Sequence, residues 1–204
     1  MTLLWYAAYG SNLDADRFAF YLTGGRPPGA RRTVPGARDA SPPQEDRPVV
    51  LPGSMFFAWR SPTWGGGISF YDADAPGSTY ARAYLLTEQQ FADVAAQEMH
   101  REPGEDLDLA HVMAHRRHAM GPGRYETLHL VGILDDIPML TFTAEHPAQL
   151  EPTPPTDPYL TVVARGLRDC HGLDEEAVVE HLASRRGVDG DRERVSRAVR
   201  SALA

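Results

Sequence analysis

The stretch Leu3-Leu4-Trp5-Tyr6-Ala7-Ala8-Tyr9-Gly10-Ser11-Asn12-Leu13 joins an apolar segment to a Gly-Ser-Asn turn. Residues 3–8 are continuously apolar or aromatic, which predicts a strand buried on both faces. The apolar residues between Asp14 and Leu22 have helical spacing, and Gly24 and Gly25 end that segment. The turn therefore lies where a buried strand leads directly into a helix.

This turn has a chemical property of its own. Successive backbone N–H groups between a strand and a helix lack partners, and near a helix N-terminus they stabilise an anion. Gly10 permits backbone angles that a side chain would forbid. Such a nest could hold a substrate carboxylate or the oxyanion of an attacked amide. The alternative is an ordinary strand-to-helix turn in which Ser11 or Asn12 caps the helix.

The rest of the chain reads as short strands interspersed with helices and loops. Thr87 and Gln90 have the spacing of a capping box, which predicts a helix from Glu88 to His100. Residues 26–48 are rich in Pro, Gly and Arg and predict a loop. The other predicted elements are strands at 49–51, 54–59, 67–71 and 79–86, a short helix within 107–120, a hairpin around Asp135-Asp136, and helices starting near residues 159, 174 and 191.

The order of these elements determines the predicted architecture. It lacks the regular alternation of a doubly wound sheet and favours an α+β protein with a small mixed β-barrel, partly closed and flanked by helices. We predict one domain over residues 1–186 and a helical or frayed C-terminal tail over residues 187–204.

Composition limits the partners. The 204 residues carry 28 acidic and 20 basic side chains, for a net charge of −8. This balance supplies no basic face for nucleic acid, and the apolar runs are too short to cross a membrane. The single cysteine, Cys170, excludes an internal disulfide. Together with the lack of an apparent signal sequence, it predicts a cytoplasmic protein.

Three separated segments of the chain stand in a recognisable order. The first is the turn Tyr9-Gly10-Ser11-Asn12-Leu13, and the second is Gln97-Glu98 at the end of the helix that follows strand 80–86. The third is Pro155-Thr156-Asp157-Pro158-Tyr159, with Gly166 and Gly172-Leu173 beyond it. In this order and spacing the chain resembles the gamma-glutamylcyclotransferase family. The segment Gly65-Gly66-Gly67-Ile68 is similar to that family's Gly-rich strand entry. Two departures, at Val94-Ala95-Ala96 and over residues 101–124, lie near the expected substrate.

The resemblance implies an intramolecular reaction on a small-molecule γ-glutamyl substrate. The α-amine attacks its own γ-carbonyl, which releases 5-oxoproline and a free amine. Glu98 falls at the position of the family's catalytic glutamate. One carboxyl can act as base and then as acid if a partly apolar pocket raises its pKa. No metal or organic cofactor is expected, because the attacking group lies in the substrate itself.

The turn residues Tyr9 to Leu13 are the predicted substrate-binding segment. Tyrosines often fill a core with one polar tip exposed, so Tyr6, Tyr125 and Tyr159 are further candidates for lining the site. Tyr9 and Tyr159 belong to the matching segments, and Tyr125 opens the predicted hairpin, where its hydroxyl could reach the substrate.

Two other functions stay open on sequence. His111, His115 and His118 lie at i, i+4 and i+7, which on a helix would align three imidazoles as a zinc site for an amide hydrolase or deacetylase. No glutamate stands between them in a His-Glu-x-x-His arrangement, and Arg116 and Arg117 would repel a cation. The third possibility is a small-ligand binding module of the same fold without turnover.

Overall fold

The computed structural model describes residues 2–27 and 33–202. Part of the predicted loop at 26–48 lies outside the described residues, as does the very end of the predicted tail. The strands are β1 Leu3–Ala8, β2 Glu45–Pro52, β3 Ser54–Arg60, β4 Gly67–Asp72, β5 Ser78–Thr87, β6 Arg117–Ala119, β7 Thr127–Leu134 and β8 Ile137–Thr143. The α-helices are α1 Ala15–Thr23, α2 Glu88–Glu98, α3 Ala110–His115, α4 Asp157–His171, α5 Glu175–Ala183 and α6 Arg192–Ser201. Single 3₁₀ turns lie at Ser11–Leu13 and Pro147–Gln149.

Six strands form one sheet in the order β2-β5-β1-β8-β7-β6, and β3 and β4 form a separate hairpin. The pairing of β1 with β8 is parallel, whereas its pairing with β5 is antiparallel. Residues 4–8 of β1 are all buried. The continuous apolar run that predicted a doubly buried strand is therefore the centre of the sheet.

The two faces of β1 belong to two halves of the core. Trp5 and Ala7 pack into a cluster that includes residues of the β3–β4 hairpin and of helices α4, α5 and α6. Leu4, Tyr6 and Ala8 pack into a second cluster, with residues of α1, α2 and α3. This alternation follows from the two-residue repeat of a strand. The end of β1 thus opens between two helical layers.

The α+β class is confirmed, but the strands do not form a closed barrel of backbone ladders in the described part of the chain. The hairpin meets the large sheet through threonine side chains. Thr143 Oγ1 accepts from Tyr71 N at 3.1 Å and donates to Tyr71 O at 2.8 Å. Thr79 Oγ1 accepts from Met55 N at 2.8 Å and donates to Gly53 O at 3.1 Å. These hydroxyls bridge β4 to β8 and the start of β3 to β5, where a complete barrel would have paired strands.

Two predicted segments differ from the structure. The helix expected within residues 107–120 covers only α3, because Arg116 adopts the left-handed conformation with φ 63° and the chain continues as the edge strand β6. Strand β2 begins at Glu45, four residues before the predicted start, because the polar residues there pair with β5 at the sheet edge. Edge strands tolerate polar and proline residues, so their sequence signal is weak.

The predicted tail contains helix α6. Its Val195, Ala198 and Val199 are buried in the same core cluster as residues of α4 and α5. The domain boundary at residue 186 stays a prediction. Among residues 2–27 and 33–202, no helix is both long enough and apolar enough to cross a membrane.

Candidate functional site

The Gly-Ser-Asn turn follows β1 and is fixed from several sides. Leu13 N donates to Gly10 O at 3.0 Å, which closes the 3₁₀ turn. The amides of Ser11 and Asn12 precede this bond and have no acceptor within the turn. A Cβ on Gly10 would lie 3.0 Å from Ser69 Cβ, so a side chain here would press on β4. The turn therefore needs glycine for close packing.

Helix α4 crosses directly over the same turn at a second glycine. A Cβ at Gly166 would lie 2.5 Å from both the backbone C and the Cβ of Leu13 and 2.6 Å from Asp14 N. The glycine that contributed to the family resemblance thus permits the closest approach of helix and turn. Leu13 itself is buried in the hydrophobic core. Its predicted contact with substrate stays a prediction.

Asn12 connects the turn to the candidate catalytic carboxyl. Its Nδ2 donates to Glu98 Oε1 at 3.0 Å and lies 3.3 Å from Tyr6 OH. The backbone carbonyl of Asn12 accepts a bond from Tyr84 OH at 2.8 Å. Its Oδ1 is buried without a partner in the described part of the chain. Asn12 therefore positions Glu98 and keeps one acceptor free.

Glu98 is the last residue of α2, whose beginning is fixed by the predicted capping box. Thr87 Oγ1 accepts from Gln90 N at 3.1 Å, and Gln90 Oε1 accepts from Thr87 N at 3.2 Å. Midway along the helix, the fully buried Asp93 accepts bonds from the backbone N–H groups of Arg38 and Gly104. These contacts hold α2 at its start and centre, so the position of its last residue is well defined.

Burial raises the pKa of the Glu98 carboxyl above its usual value. A hydrogen bond from Tyr21, the positive charge of Arg17 and the hydrogen bond from Asn12 act in the opposite direction, but burial dominates. The C-terminal end of a helix carries partial negative charge, which also disfavours a carboxylate. Glu98 is thus a partly buried carboxyl that binds a proton more readily than a surface glutamate. Glu88, Glu102 and Glu105, the other glutamates near it in sequence, are exposed.

Two adjoining cavities meet at Glu98. The inner one, about 40 Å³, is lined by the turn residues Gly10–Asn12 and by Ser69 and several aromatic side chains. The outer one, about 100 Å³, is lined by residues of α1, the segment from Trp59 to Trp64, and Arg124. Ser11, Glu98, Tyr125 and Tyr159 line both. The structure therefore brings the Glu98 carboxyl and the turn to the same pair of cavities.

The predicted tyrosines form the walls of these cavities, and their hydroxyls contact the protein. Tyr159 OH accepts from Ser69 N at 3.0 Å and contacts Ser69 Oγ at 3.1 Å. Tyr125 OH donates to Ser69 O at 2.7 Å, and Tyr9 OH donates to Phe142 O at 2.8 Å. These bonds fix the rings around the inner cavity. A direct hydrogen bond from any of them to substrate stays a prediction.

Two arginines and two tryptophans that the sequence analysis did not single out line the outer cavity. The Arg17 guanidinium lies over Trp64, 4.9 Å from the ring centroid, and that of Arg124 lies over Trp59 at 3.7 Å. Arg17 and Tyr21, which hydrogen-bonds Glu98, are four residues apart on α1. That i, i+4 spacing on the helix after the turn is the signal from which they could have been found.

The three histidines of the alternative zinc site are neighbours, although only two lie on a helix. His118 lies on β6, and the ring centroids of His115 and His118 are 4.5 and 4.6 Å from that of His111. Across residues 2–27 and 33–202, however, no group of three or more His, Cys, Asp or Glu side chains could hold a metal ion. The zinc site predicted as an alternative is not found in the structure.

The arrangement of sheet, hairpin and helices is found in solved structures. A gamma-glutamyl cyclotransferase superposes with a TM-score of 0.54 over 87% of this chain and 85% of its own, at 16% sequence identity. The chain has the gamma-glutamyl cyclotransferase fold. An uncharacterized protein from Homo sapiens superposes equally well, with a TM-score of 0.54, 18% identity, and coverage of 88% and 86%. At these identities the likeness establishes the fold.

Sequence comparison adds one curated relative. Histone deacetylase 5 from Arabidopsis thaliana is 30% identical over 198 residues, which cover 88% of this chain. The chain spans only 30% of the length of that relative. No family model matches the sequence.

Proposed function

We propose that this protein is an acyltransferase of the gamma-glutamylcyclotransferase type, acting in the cytoplasm. It would cleave the amide of a γ-glutamyl amine or γ-glutamyl amino acid and form 5-oxoproline. Glu98 is the general acid and base, and the turn Gly10–Asn12 binds the reacting end of the substrate. The fold of a known gamma-glutamyl cyclotransferase supports this proposal.

One observation carries the proposal. The Glu98 carboxyl lies where both cavities meet, accepts a hydrogen bond from Asn12, and has a pKa that burial raises. A general acid and base works best when its pKa approaches the working pH. A glutamate placed only for structure has no need of a cavity, a turn donor and a raised pKa together.

The chemistry requires two proton transfers by Glu98 and no external nucleophile. The α-ammonium first loses one proton to solvent. As the free amine nitrogen attacks the γ-carbonyl carbon, Glu98, as a carboxylate, takes the second proton that this nitrogen must lose. As the C–N bond to the leaving group breaks, Glu98 returns a proton to the departing nitrogen. The bond formed closes the five-membered ring of 5-oxoproline. Because the nucleophile belongs to the same molecule, holding it near the carbonyl supplies much of the rate.

The turn supplies stabilisation during attack. Negative charge develops on the γ-carbonyl oxygen, and the backbone amides of Ser11 and Asn12, which have no acceptor within the turn, are donors of the kind that stabilise an oxyanion. The free Oδ1 of Asn12 is an acceptor available to the α-amine. In this assignment Asn12 orients both the base and the nucleophile.

A mass-spectrometric screen of γ-glutamyl amines and γ-glutamyl amino acids tests the proposal. We expect wild-type protein to release 5-oxoproline and Glu98→Gln to lose at least about 100-fold in turnover, the lower range for removing a general base. Glu105→Gln is the matched control, since it makes the same chemical change at an exposed position. Near-wild-type turnover by Glu98→Gln would remove Glu98 from the catalytic role.

The same screen separates an enzyme from a binding module. If compounds raise the melting temperature of the wild-type protein but none releases 5-oxoproline, the protein binds γ-glutamyl ligands without turnover. The name of the Arabidopsis relative provides a second comparison, an acetyl-lysine peptide assayed with and without added zinc. Release of acetate would favour amide hydrolysis over cyclisation.

A further inference from the structure

Two arginines that line the outer cavity have buried guanidinium nitrogen atoms without hydrogen-bond partners in the described part of the chain. Nε and Nη1 of Arg17 and Nε of Arg124 are buried and lack hydrogen-bond partners in the described part of the chain. Arg17 is only 8% exposed. Within residues 2–27 and 33–202, the ion pairs involve other arginines and neither of these two. Both guanidinium groups line the cavity beside Glu98.

Tryptophan rings hold both groups in place. Trp64 lies under Arg17, and Trp59 lies under Arg124. Trp59 has φ 52° and lies at the register shift between Ala58 and Arg60 in β3. A positive φ is unusual for a bulky aromatic residue, and bulges next to functional sites re-aim a side chain. Stacking uses the face of a guanidinium and leaves the N–H groups at its edge free to donate.

Burying an unpaired charge is costly, and an anion with matching acceptors removes the cost. Glu98 offers one nearby carboxyl, but it already accepts from Asn12 and Tyr21. Two guanidinium groups facing one cavity therefore fit a negatively charged ligand group, which they can bind through charge-assisted hydrogen bonds.

We infer that Arg17 and Arg124 form a subsite for an anionic group on the leaving amine of the substrate. This inference rests on the proposed cyclotransferase function. The inner cavity, next to the turn, has neither arginine in its lining and would take the reacting γ-glutamyl end. The outer cavity shares Glu98 with the inner one and would take the leaving nitrogen and its substituents.

The subsite defines an order of preference among substrates. A leaving amine with two carboxylates, as in γ-glutamylglutamate, has a negative group for each arginine. An amine with one carboxylate, as in γ-glutamylalanine, follows. Neutral γ-glutamylmethylamide lacks any partner for them, and cationic γ-glutamylputrescine is repelled. All four share the same γ-glutamyl end, so differences among them report on the outer cavity.

The test compares kcat/KM for these four compounds in wild type, Arg17→Met and Arg124→Met. Methionine keeps an unbranched apolar stem against the tryptophan. Arg26→Met removes the same positive charge at an exposed position and is the control. With kcat/KM measured above its acidic limb, we expect each cavity variant to lose about 10- to 100-fold for γ-glutamylglutamate, as for a hydrogen bond to a charged group, and much less for γ-glutamylmethylamide. Circular dichroism and melting temperature verify folding.

Three results would overturn the inference. An equal loss for all four compounds would place the arginines on the α-carboxylate or on Glu98. No loss for any compound would make them structural, and faster turnover of the putrescine compound than of γ-glutamylglutamate would reverse the predicted charge preference. In each case 5-oxoproline is still formed, so the proposed function stands.

A calorimetric titration tests the anion subsite even if the protein has no cyclotransferase activity. If wild type forms no 5-oxoproline, γ-glutamylglutamate and γ-glutamylmethylamide are titrated into wild type and Arg17→Met. Tighter binding of γ-glutamylglutamate in wild type, lost in the variant, retains the anion subsite without catalysis. Equal binding of both compounds removes it.

Discussion

Replacing Gly166 with alanine tests whether the contact between α4 and the turn positions the catalytic carboxyl. The new Cβ would lie 2.5 Å from two atoms of Leu13 and 2.6 Å from Asp14 N, whereas ordinary contact begins at 3.4 Å. Because backbone atoms lie on both sides, helix and turn must separate by roughly 1 Å. Overpacking of this kind costs about 1–3 kcal/mol, and alanine returns up to about 1 kcal/mol of helix propensity.

We therefore expect Gly166→Ala to lower the free energy of unfolding by about 1–2 kcal/mol. For a chain of this size that corresponds to a fall in melting temperature of about 2–8 °C. The effect on activity should be larger than the effect on stability, because the displaced turn carries Asn12, which donates a hydrogen bond to Glu98. A misplacement of about 1 Å can cost about 100-fold in rate.

The assays are a thermal melt and kcat/KM for the best γ-glutamyl substrate. Gly132→Ala is the matched control, since its new Cβ would meet only the flexible end of Met139, at 3.0 Å. If Gly166→Ala melts and turns over like wild type and like Gly132→Ala, the turn is not positioned by α4. Loss of stability with full activity would show that the turn adjusts without moving Asn12.

Three further predictions concern the hydrogen bonds between Thr143 and Tyr71 and the raised pKa of Glu98. Thr143→Val leaves the N–H and C=O of Tyr71 unpaired and should cost about 2–5 kcal/mol in chemical denaturation; an unchanged midpoint would show that this bridge is dispensable. Burial raises the pKa of Glu98 in the folded state, so wild-type stability falls as pH rises through that pKa. Glu98→Gln lacks this loss, and its advantage in melting temperature should grow as the pH rises above the usual glutamate pKa of about 4.3; a constant difference contradicts the raised pKa. The acidic limb of kcat/KM should likewise lie above the usual glutamate pKa of about 4.3 and move to higher pH in Arg17→Met, because the charge of Arg17 lowers the pKa of Glu98.

The parts of the fold that local sequence determines were predictable. The unbroken apolar run before Tyr9 identified the central strand, and the capping box at Thr87 identified the start of α2. The hairpin was predicted from the segments that flank Asp135-Asp136, and both residues adopt positive φ in its turn, 51° and 62°. In each case the signal lies within a few residues, so no long-range information was needed.

The failures have a common physical origin in contacts between distant segments. Nothing near Thr143 in sequence indicates that its hydroxyl replaces a strand ladder to Tyr71. The short extent of α3 depends on pairing of the following strand β6 with β7. Edge pairing and side-chain bridges arise only when the sheet is assembled, so a periodicity within one segment does not reveal them.

The parts of the candidate site that belong to a sequence motif were predictable. The parts that contribute only a charged side chain were not. Glu98 and the turn were found because their spacing follows a family pattern. Arg17 and Arg124 were missed because arginine supplies all 20 basic residues of the chain, and composition does not distinguish a buried arginine from a solvated one. Their unpaired buried nitrogen atoms in the cavity beside Glu98, together with stacking on Trp64 and Trp59, identify these two.

Helix α2 also constrains how the chain length can vary. Its first turn is locked at Thr87 and its last residue is Glu98, eleven residues in all. One inserted residue would rotate the carboxyl by about 100° and advance it by about 1.5 Å, which turns it out of the cavity. The exposed Glu88 can therefore change identity, but the interval cannot gain or lose a residue. Insertions and deletions should instead accumulate in exposed loops outside this interval.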